Sequence, residues 1–507
     1  MSITNSLLIL VNSLTKAEKR HFTLLSGLQS GEKVYLSLFN LIDGNISDKE
    51  LYALFCEKLP GKSYDMAAKH LYRNLLDCLV RLREKQDVQT QIFNQISIAG
   101  ILFEREMFDE AFAELDKAKT LASTYENDSL QLLVRRTELK YLNMLDFRGL
   151  NERQLVNKQM KINEVTKYSR NLNQHLQLYE ILRHRLIHKG YARSDKQKES
   201  LNDLVLSELH LIGNSSYQGF EAEKLHLLFQ SSYYLNSGNY KLAIRYYKEI
   251  IDLFGKNEQL IQNPPIYYLS AIQGVLDSLE ITRLYAEMSF FIDKLREIEQ
   301  GSYAKEFVLY VKSLIYLYEQ NRFMQTGDFE SALFLKKENE DSLFKKTALL
   351  ALEPQLKLLL NSVVLYMYVN DLPQARKYMK KILSSGKQFY MLPSYNTARL
   401  VNLLLQAELK NLLFLENEIS AIKRSIRYEK ETNITEKIIF KFLRDYPLPS
   451  YEKARNRLWE LYKKDFTRIK NDKYEMKLRK TFNVLAWIRH KLTHQSLADI
   501  LAENAGE

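Results

Sequence analysis

Two pairs of histidines stand four residues apart, His184 with His188 and His490 with His494. On a helix that spacing puts both rings on one face, where they could share a metal ion. The surrounding RHRLIHK and RHKLTH set Arg and Lys around each pair, which repels a cation. Neither pair has the Glu of an HExxH motif or an evident acidic third ligand, so both read as solvated or core-edge histidines. Gly61-Lys62-Ser63 in LPGKSYD matches the end of a phosphate-binding loop. Such a loop needs another Gly where Cys56 stands, and a strand leading in, whereas 51–58 reads as helix. Ser63 as the cap of the following helix accounts for the fragment. Cys56 and Cys78 are too few for a disulfide framework or a Cys-based zinc site, and they fit a reducing compartment. With no G-x-S-x-G elbow, dinucleotide fingerprint or Cys–His pairing, no catalytic residue, cofactor or metal is expected, and the chain reads as a protein that is not an enzyme.

The elements that would position any site are helical. Gly (16) and Pro (8) together make 24 of 507 residues, too few breakers for hairpins or Gly-rich loops. The apolar share of 46% and charged share of 27% suit a folded, water-exposed chain, and 507 residues exceed what one core organises. The apolar run Leu7–Val11 is short for a signal peptide, and no run of about 18 apolar residues follows. A cytoplasmic, non-membrane protein is expected.

The stretch SGNYKLAIRYYKEIIDLFG at 237–255 sets a Gly turn before an apolar stripe of Tyr240, Ala243, Ile244, Tyr247, Ile250 and Ile251. Leu227-Leu228-Phe229 and Tyr233-Tyr234-Leu235 form a stripe just before it, so the two segments predict an αα-hairpin. The hexad GNYKLA (Gly238, Tyr240, Ala243) has counterparts in GDFESA (Gly327, Phe329, Ala332), NDLPQA (Asn370, Ala375) and EMFDEA (Ala111). NLLFLE at 411–416 is a weaker echo. The small residues at 111, 243, 332 and 375 differ by 132, 89 and 43, close to three, two and one steps of about 44. The positions near 155, 199 and 288 lack the hexad, although helical stripes such as Leu284, Met288, Phe291 and Leu295 continue there. An all-α chain is predicted, with a right-handed α-solenoid of about eight αα-hairpins over 91–430.

These hexads resemble the turn and second helix of tetratricopeptide (TPR) repeats. The period is longer than the family's 34 residues, and the family's aromatic-Leu-Gly signature in the first helix is largely missing. The likeness is to a divergent TPR-like array. It implies a groove lined by the first helix of each hairpin, where family members grip peptides with Lys, Arg and Asn. Aligning the small residue of each hexad, with Glu416 in that role for the last, carries groove positions onto Lys357, Asn361 and Asn402, with Asn321 at a neighbouring one. An Asn can bond a peptide backbone as donor and acceptor, and Lys357 could pair with a carboxylate. The matching position before Ala243 is Phe229. The 32 tyrosines, Tyr366 and Tyr368 among them, read chiefly as packing between helices.

Residues 1–90 read as a separate helical domain with capping boxes at TKAE (Thr15, Glu18) and SDKE (Ser47, Glu50). A long helix is predicted from Ser63 to Glu84, with Met66, Leu71, Leu75, Leu79 and Leu82 on its apolar side. The opening SLTKAEKRHF resembles the start of a group of bacterial TPR-like proteins to which no activity is assigned. No recognition helix rich in Arg, Asn or Gln marks this end as a DNA reader. Residues 431–507, broken at Pro447 and Pro449, read as a basic helical cap, with Leu478, Phe482, Leu485, Ile488 and Leu492 in helical spacing. Of the net +11, the stretch 451–480 carries eleven Lys/Arg against five Asp/Glu. The expected function is a non-catalytic scaffold holding a protein or peptide partner in its groove. The alternative is a regulator that contacts nucleic acid through 451–480 while its repeats sense a ligand or partner.

Overall fold

A computed structural model describes residues 3–27, 33–43, 48–83, 87–189, 198–199, 201–214, 219–261, 264–385, 388–428, 434–470, 472, 475 and 480–506. Ser47 and Leu478 lie outside them. Apart from two short 3-10 turns, the regular structure among these residues is α-helix. The chain divides into two compact units, Met1–Asn173 and Gln174–Glu507.

The first unit begins with α1 (Ile3–Ser13), α2 (Lys16–Gly27), α3 (Val34–Asp43), α4 (Asp48–Lys58) and α5 (Tyr64–Arg83). They surround a core that includes Leu38, Phe39, Ile42, Leu71 and Leu75. The Thr15 box opens α2 reciprocally: the Thr15 N–H donates to Glu18 Oε2 at 2.7 Å, and the Glu18 N–H to Thr15 Oγ1 at 3.2 Å. Gly61 turns the chain between α4 and α5, and Ser63 Oγ accepts the Met66 N–H at 3.4 Å. Met66 itself is 72% exposed, against expectation. Five residues before Leu71, it falls well round the helix from the buried row of Ala67, Ala68, Leu71 and Leu75. Next come α6 (Val88–Glu104), α7 (Phe108–Thr124) and α8 (Asp128–Met144), with Phe103 stacked on Tyr141 at 4.1 Å. The chain then turns through left-handed Asp146, Phe147 and Gly149 into the 38-residue α9 (Glu152–Lys189), which carries position 155 in its first turn, and the division between units lies within it.

The second unit continues with α10 (Asn202–Asn214) and then five helix pairs. These are α11 (Phe220–Asn236) with α12 (Tyr240–Lys256), α13 (Ile266–Ile281) with α14 (Tyr285–Glu299), and α15 (Lys305–Gln325) with α16 (Phe329–Glu338). They are followed by α17 (Leu352–Tyr368) with α18 (Leu372–Ser384), and α19 (Pro393–Glu408) with α20 (Leu412–Tyr428). Each pair packs together and on the next.

One device closes every first helix. Gly238, Arg283, Gly327, Asn370 and Lys410 all hold positive φ, at steps of 45, 44, 43 and 40 residues. The following N–H returns to the carbonyl five residues back, as in Asn239 to Tyr234 (2.9 Å), Asp328 to Phe323 (2.9 Å) and Asp371 to Tyr366 (2.8 Å). The same residue then opens the second helix: Asn239, Asp328 and Asp371 cap Leu242, Ser331 and Gln374 through their side-chain oxygens. Glu106 takes the left-handed place between α6 and α7. Ala111, Ala243, Ala332 and Ala375 follow five residues after the left-handed position, each fully buried, with Met288 in that place on α14. In the last pair the echo shifts by one residue. Lys410 rather than Asn411 is left-handed, so buried Leu415, not exposed Glu416, stands where the other pairs have Ala. Asn402 is therefore one residue off the position of Asn361, which Val401 takes. Leu284 also departs from its predicted stripe: it caps α14 and is 44% exposed.

The chain ends in α21 (Ile434–Arg444), α22 (Glu452–Lys470), α23 (Val484–Thr493) and α24 (Leu497–Gly506). These share one hydrophobic core with α15 to α20, running from Met324 to Leu501.

Candidate functional site

The first helices of the pairs present a common flank, and residues 480–504 lie across it. Lys480 starts the crossing. Its ammonium is paired with Asp277 and, at 2.8 Å, with Glu280 Oε2 on α13, and it lies 5.3 Å from the Tyr318 ring centre on α15. Tyr318 OH donates to Asp277 Oδ1 at 2.8 Å, and Gln273 Nε2 to Tyr310 OH at 3.1 Å. Burial opposes charge on Asp277, yet Lys480, helped by Lys357 and the Tyr318 hydroxyl, outweighs it and holds the carboxyl below the usual aspartate range. On Glu280 burial wins, despite Lys480 and with the Asp277 charge adding to it, and the carboxyl is pushed up. Burial also opposes the Lys480 charge, but the two carboxylates outweigh it and raise the ammonium's pKa. An ionised and a proton-prone carboxyl beside a lysine and a tyrosine could trade protons. Here the lysine of the chain itself already pairs with both carboxylates, although neither Glu280 oxygen has a hydrogen-bond partner among the described residues.

Main-chain and aromatic contacts follow. Gln325 Nε2 donates to the Lys480 carbonyl at 3.3 Å, and the Asn483 N–H donates to Tyr368 OH on α17 at 2.8 Å. Phe482 packs on Tyr368 at 5.5 Å, while Trp487, 1% exposed, meets Phe442 on α21, outside the first helices, at 5.6 Å. Lys491 pairs with Glu408 on α19 at 2.8 Å. The segment then returns through α24. Gly327 lacks a Cβ where one would drive into the Ala498 carbonyl, and Arg283 Nη1 donates to the Asn504 carbonyl at 2.7 Å.

Against this surface the four expected groove residues fall as follows. Asn321 and Asn361 are buried and bonded to each other, Asn361 Nδ2 donating to Asn321 Oδ1 at 2.6 Å. Asn402 is 2% exposed, and its Oδ1 accepts from Gln406 Nε2 at 3.2 Å. Lys357 alone of the four stands out, its side chain 54% exposed and 3.7 Å from Glu353. The residues that sequence reasoning missed are Asp277, Glu280, Tyr318 and Lys480. Asp277 and Lys480 lie 203 positions apart, and no local spacing reveals such a cluster.

A second buried cluster ties α10 to α11. Glu208, 1% exposed, accepts from Gln230 and lies 2.7 Å from His226 Nδ1. Burial pushes the Glu208 carboxyl up even against the His226 contact. His175, buried on α9, has its pKa lowered by that burial and then by the His226 charge.

His184 and His188 sit 4.3 Å apart on an exposed face. His494 ends α23 in a left-handed turn, so it does not share a helix face with His490, whose Nδ1 meets the Gln495 carbonyl at 2.6 Å. Among the described residues no group of three or more His, Cys, Asp or Glu could hold a metal ion, and no helix is long and apolar enough to cross a membrane.

The fold thus defines an all-helical protein of consecutively packed helix pairs. Compared with known proteins, the chain matches no family model, no curated protein and no solved structure.

Proposed function

We propose that this chain is a non-catalytic scaffold, a divergent TPR-like α-solenoid that holds polypeptide on the flank of its first helices. The observation that carries the reading is that this flank already holds a polypeptide: residues 480–504, gripped by a lysine clasp, by contacts to main chain and by aromatic seats. The recurrence of left-handed turns at 238, 283, 327, 370 and 410 supports a repeat array. The resident segment is a fixed part of the molecule. Phe482, Val484, Leu485, Trp487, Ile488, Leu492, Leu497, Ile500 and Leu501 are all buried, each worth roughly 1.5–3 kcal/mol. A partner therefore takes the part of the flank that the segment leaves open, where Lys357 is exposed and Gln273 and Tyr310 are half-buried.

Affinity enrichment from a native lysate, with and without nuclease, tests this reading with wild type and Lys357→Glu/Tyr310→Ala. A protein retained by wild type, insensitive to nuclease and lost in the double variant is the expected outcome. The alternative, nucleic-acid contact, rests on Lys453, Arg457, Lys463 and Lys464, which are exposed on α22. Enrichment that vanishes with nuclease and survives the double variant would move the function there.

A further inference from the structure

The helix α18 reads LPQARKYMKKILS and contains no carboxylate. Ala375, Tyr378, Met379 and Ile382 are buried, while Arg376, Lys377, Lys380 and Lys381 are all exposed. Arg376 with Lys380, and Lys377 with Lys381, are like charges at i and i+4, an arrangement that destabilises a helix. Among the described residues none of the four forms an ion pair, and the one contact made by their charged groups is Lys381 over the Tyr378 ring at 5.0 Å. Four other second helices pair at least one of their cations with a carboxylate of the same helix. Lys117 pairs with Glu114 and Lys119 with Asp116 on α7, Arg245 with Glu249 on α12, Arg296 with Asp293 on α14, and Lys336 with Glu340 on α16.

We propose that the exposed side of α18 is a docking surface for an acidic helical segment of a partner protein. The geometry favours a helix as occupant, because carboxylates at i and i+4 on an adjoining helix repeat at the same spacing as the cations they would meet. Opposite potentials of this kind fix orientation and speed association. Four charges over two turns make a short track for nucleic acid, which draws its affinity from a longer run of phosphates, on the order of 6–10 contacts. The proposal concerns a different surface from the flank of the first helices and stands independently of it.

The test uses the full chain, as wild type and as Arg376→Glu/Lys377→Glu. The probes are a synthetic Ala-rich helical peptide with glutamates at i and i+4, its lysine counterpart, and a DNA duplex of equal charge. The double variant replaces both like-charge pairs by Glu–Lys pairs at i and i+4, so its melting temperature holds or rises and a loss of binding is not unfolding. The expected result is binding of the glutamate peptide over the lysine peptide, at least tenfold weaker in the variant. Carbodiimide coupling is expected to join its glutamates to Lys377, Lys380 or Lys381. Equal binding by the variant, no preference over the lysine peptide, or coupling confined to lysines of other helices overturns the proposal. A duplex that binds wild type as tightly as the peptide, and is lost in the variant, overturns it in favour of nucleic acid.

Discussion

Lys480 carries more of the account than any other single residue, because it joins the C-terminal segment to two carboxylates on α13. Replacing it by Met leaves Asp277 and Glu280 without their cation. A loss of about 1–3 kcal/mol is expected in chemical denaturation, less than for a fully buried pair because the edge of the cluster reaches solvent. The pH dependence has a definite sign. Asp277 has a depressed folded-state pKa, so its contribution is present above about 3.9, the unfolded value, and is lost as pH falls through the folded value. Glu208 behaves in the opposite way. Its folded-state pKa is raised, so stability is lost as pH rises from about 4.3, the unfolded value, through the folded value. Glu208→Gln is therefore expected to raise the melting temperature at pH 7, by a margin that shrinks toward pH 4. A margin independent of pH would contradict the assignment. His175, held neutral by burial, adds stability present above about 6.5 and lost on acidification toward its lower folded value. None of these clusters was legible in the sequence, since each joins residues from different helices. The single-residue cap Ser63 was, because its partner Met66 is three positions away.

At the scale of elements the sequence was far more informative, and its failures have a physical cause. Gly238, Gly327 and Asn370 announce their turns because Gly and Asn accept positive φ. Arg283 and Lys410 take the same conformation without such a residue, held by the packing of the helices they join, so their turns were overlooked or misplaced by one position. The strain at exposed Lys410 leads to a direct expectation. Lys410→Gly relieves a left-handed cost of about 1–2 kcal/mol per non-glycine residue, less part of what glycine loses in chain entropy. A net gain of about 0.5–1 kcal/mol is expected in urea denaturation. At the crossings the reverse holds. Ala243 is fully buried on α12, and Ala243→Leu is expected to cost about 1–3 kcal/mol by overpacking. Gly274 on α13 has the Tyr247 ring where its Cβ would stand, so Gly274→Ala should also destabilise and disturb the environment of that tyrosine.

At the scale of the whole molecule, composition alone made the all-helical class plain, and the hexads located most of the helix pairs in the second unit. What they left unread is the use made of the flank of the first helices. A repeat pattern reports which residues stack between neighbours, whereas the return of 480–504 across α13, α15, α17 and α19 rests on contacts between distant parts of the chain. The proposed scaffold thus carries a built-in example of the ligand type it is read to hold. The most direct test introduces a protease site between Lys470 and Lys480, folds the intact protein, cleaves it, and measures by gel filtration whether 480–507 stays with the rest. The cleaved segment is expected to co-elute at micromolar concentration, and to dissociate more readily when Lys480 is replaced by Glu. A wild-type segment that separates on cleavage would contradict the claim that the first helices hold polypeptide through their side chains.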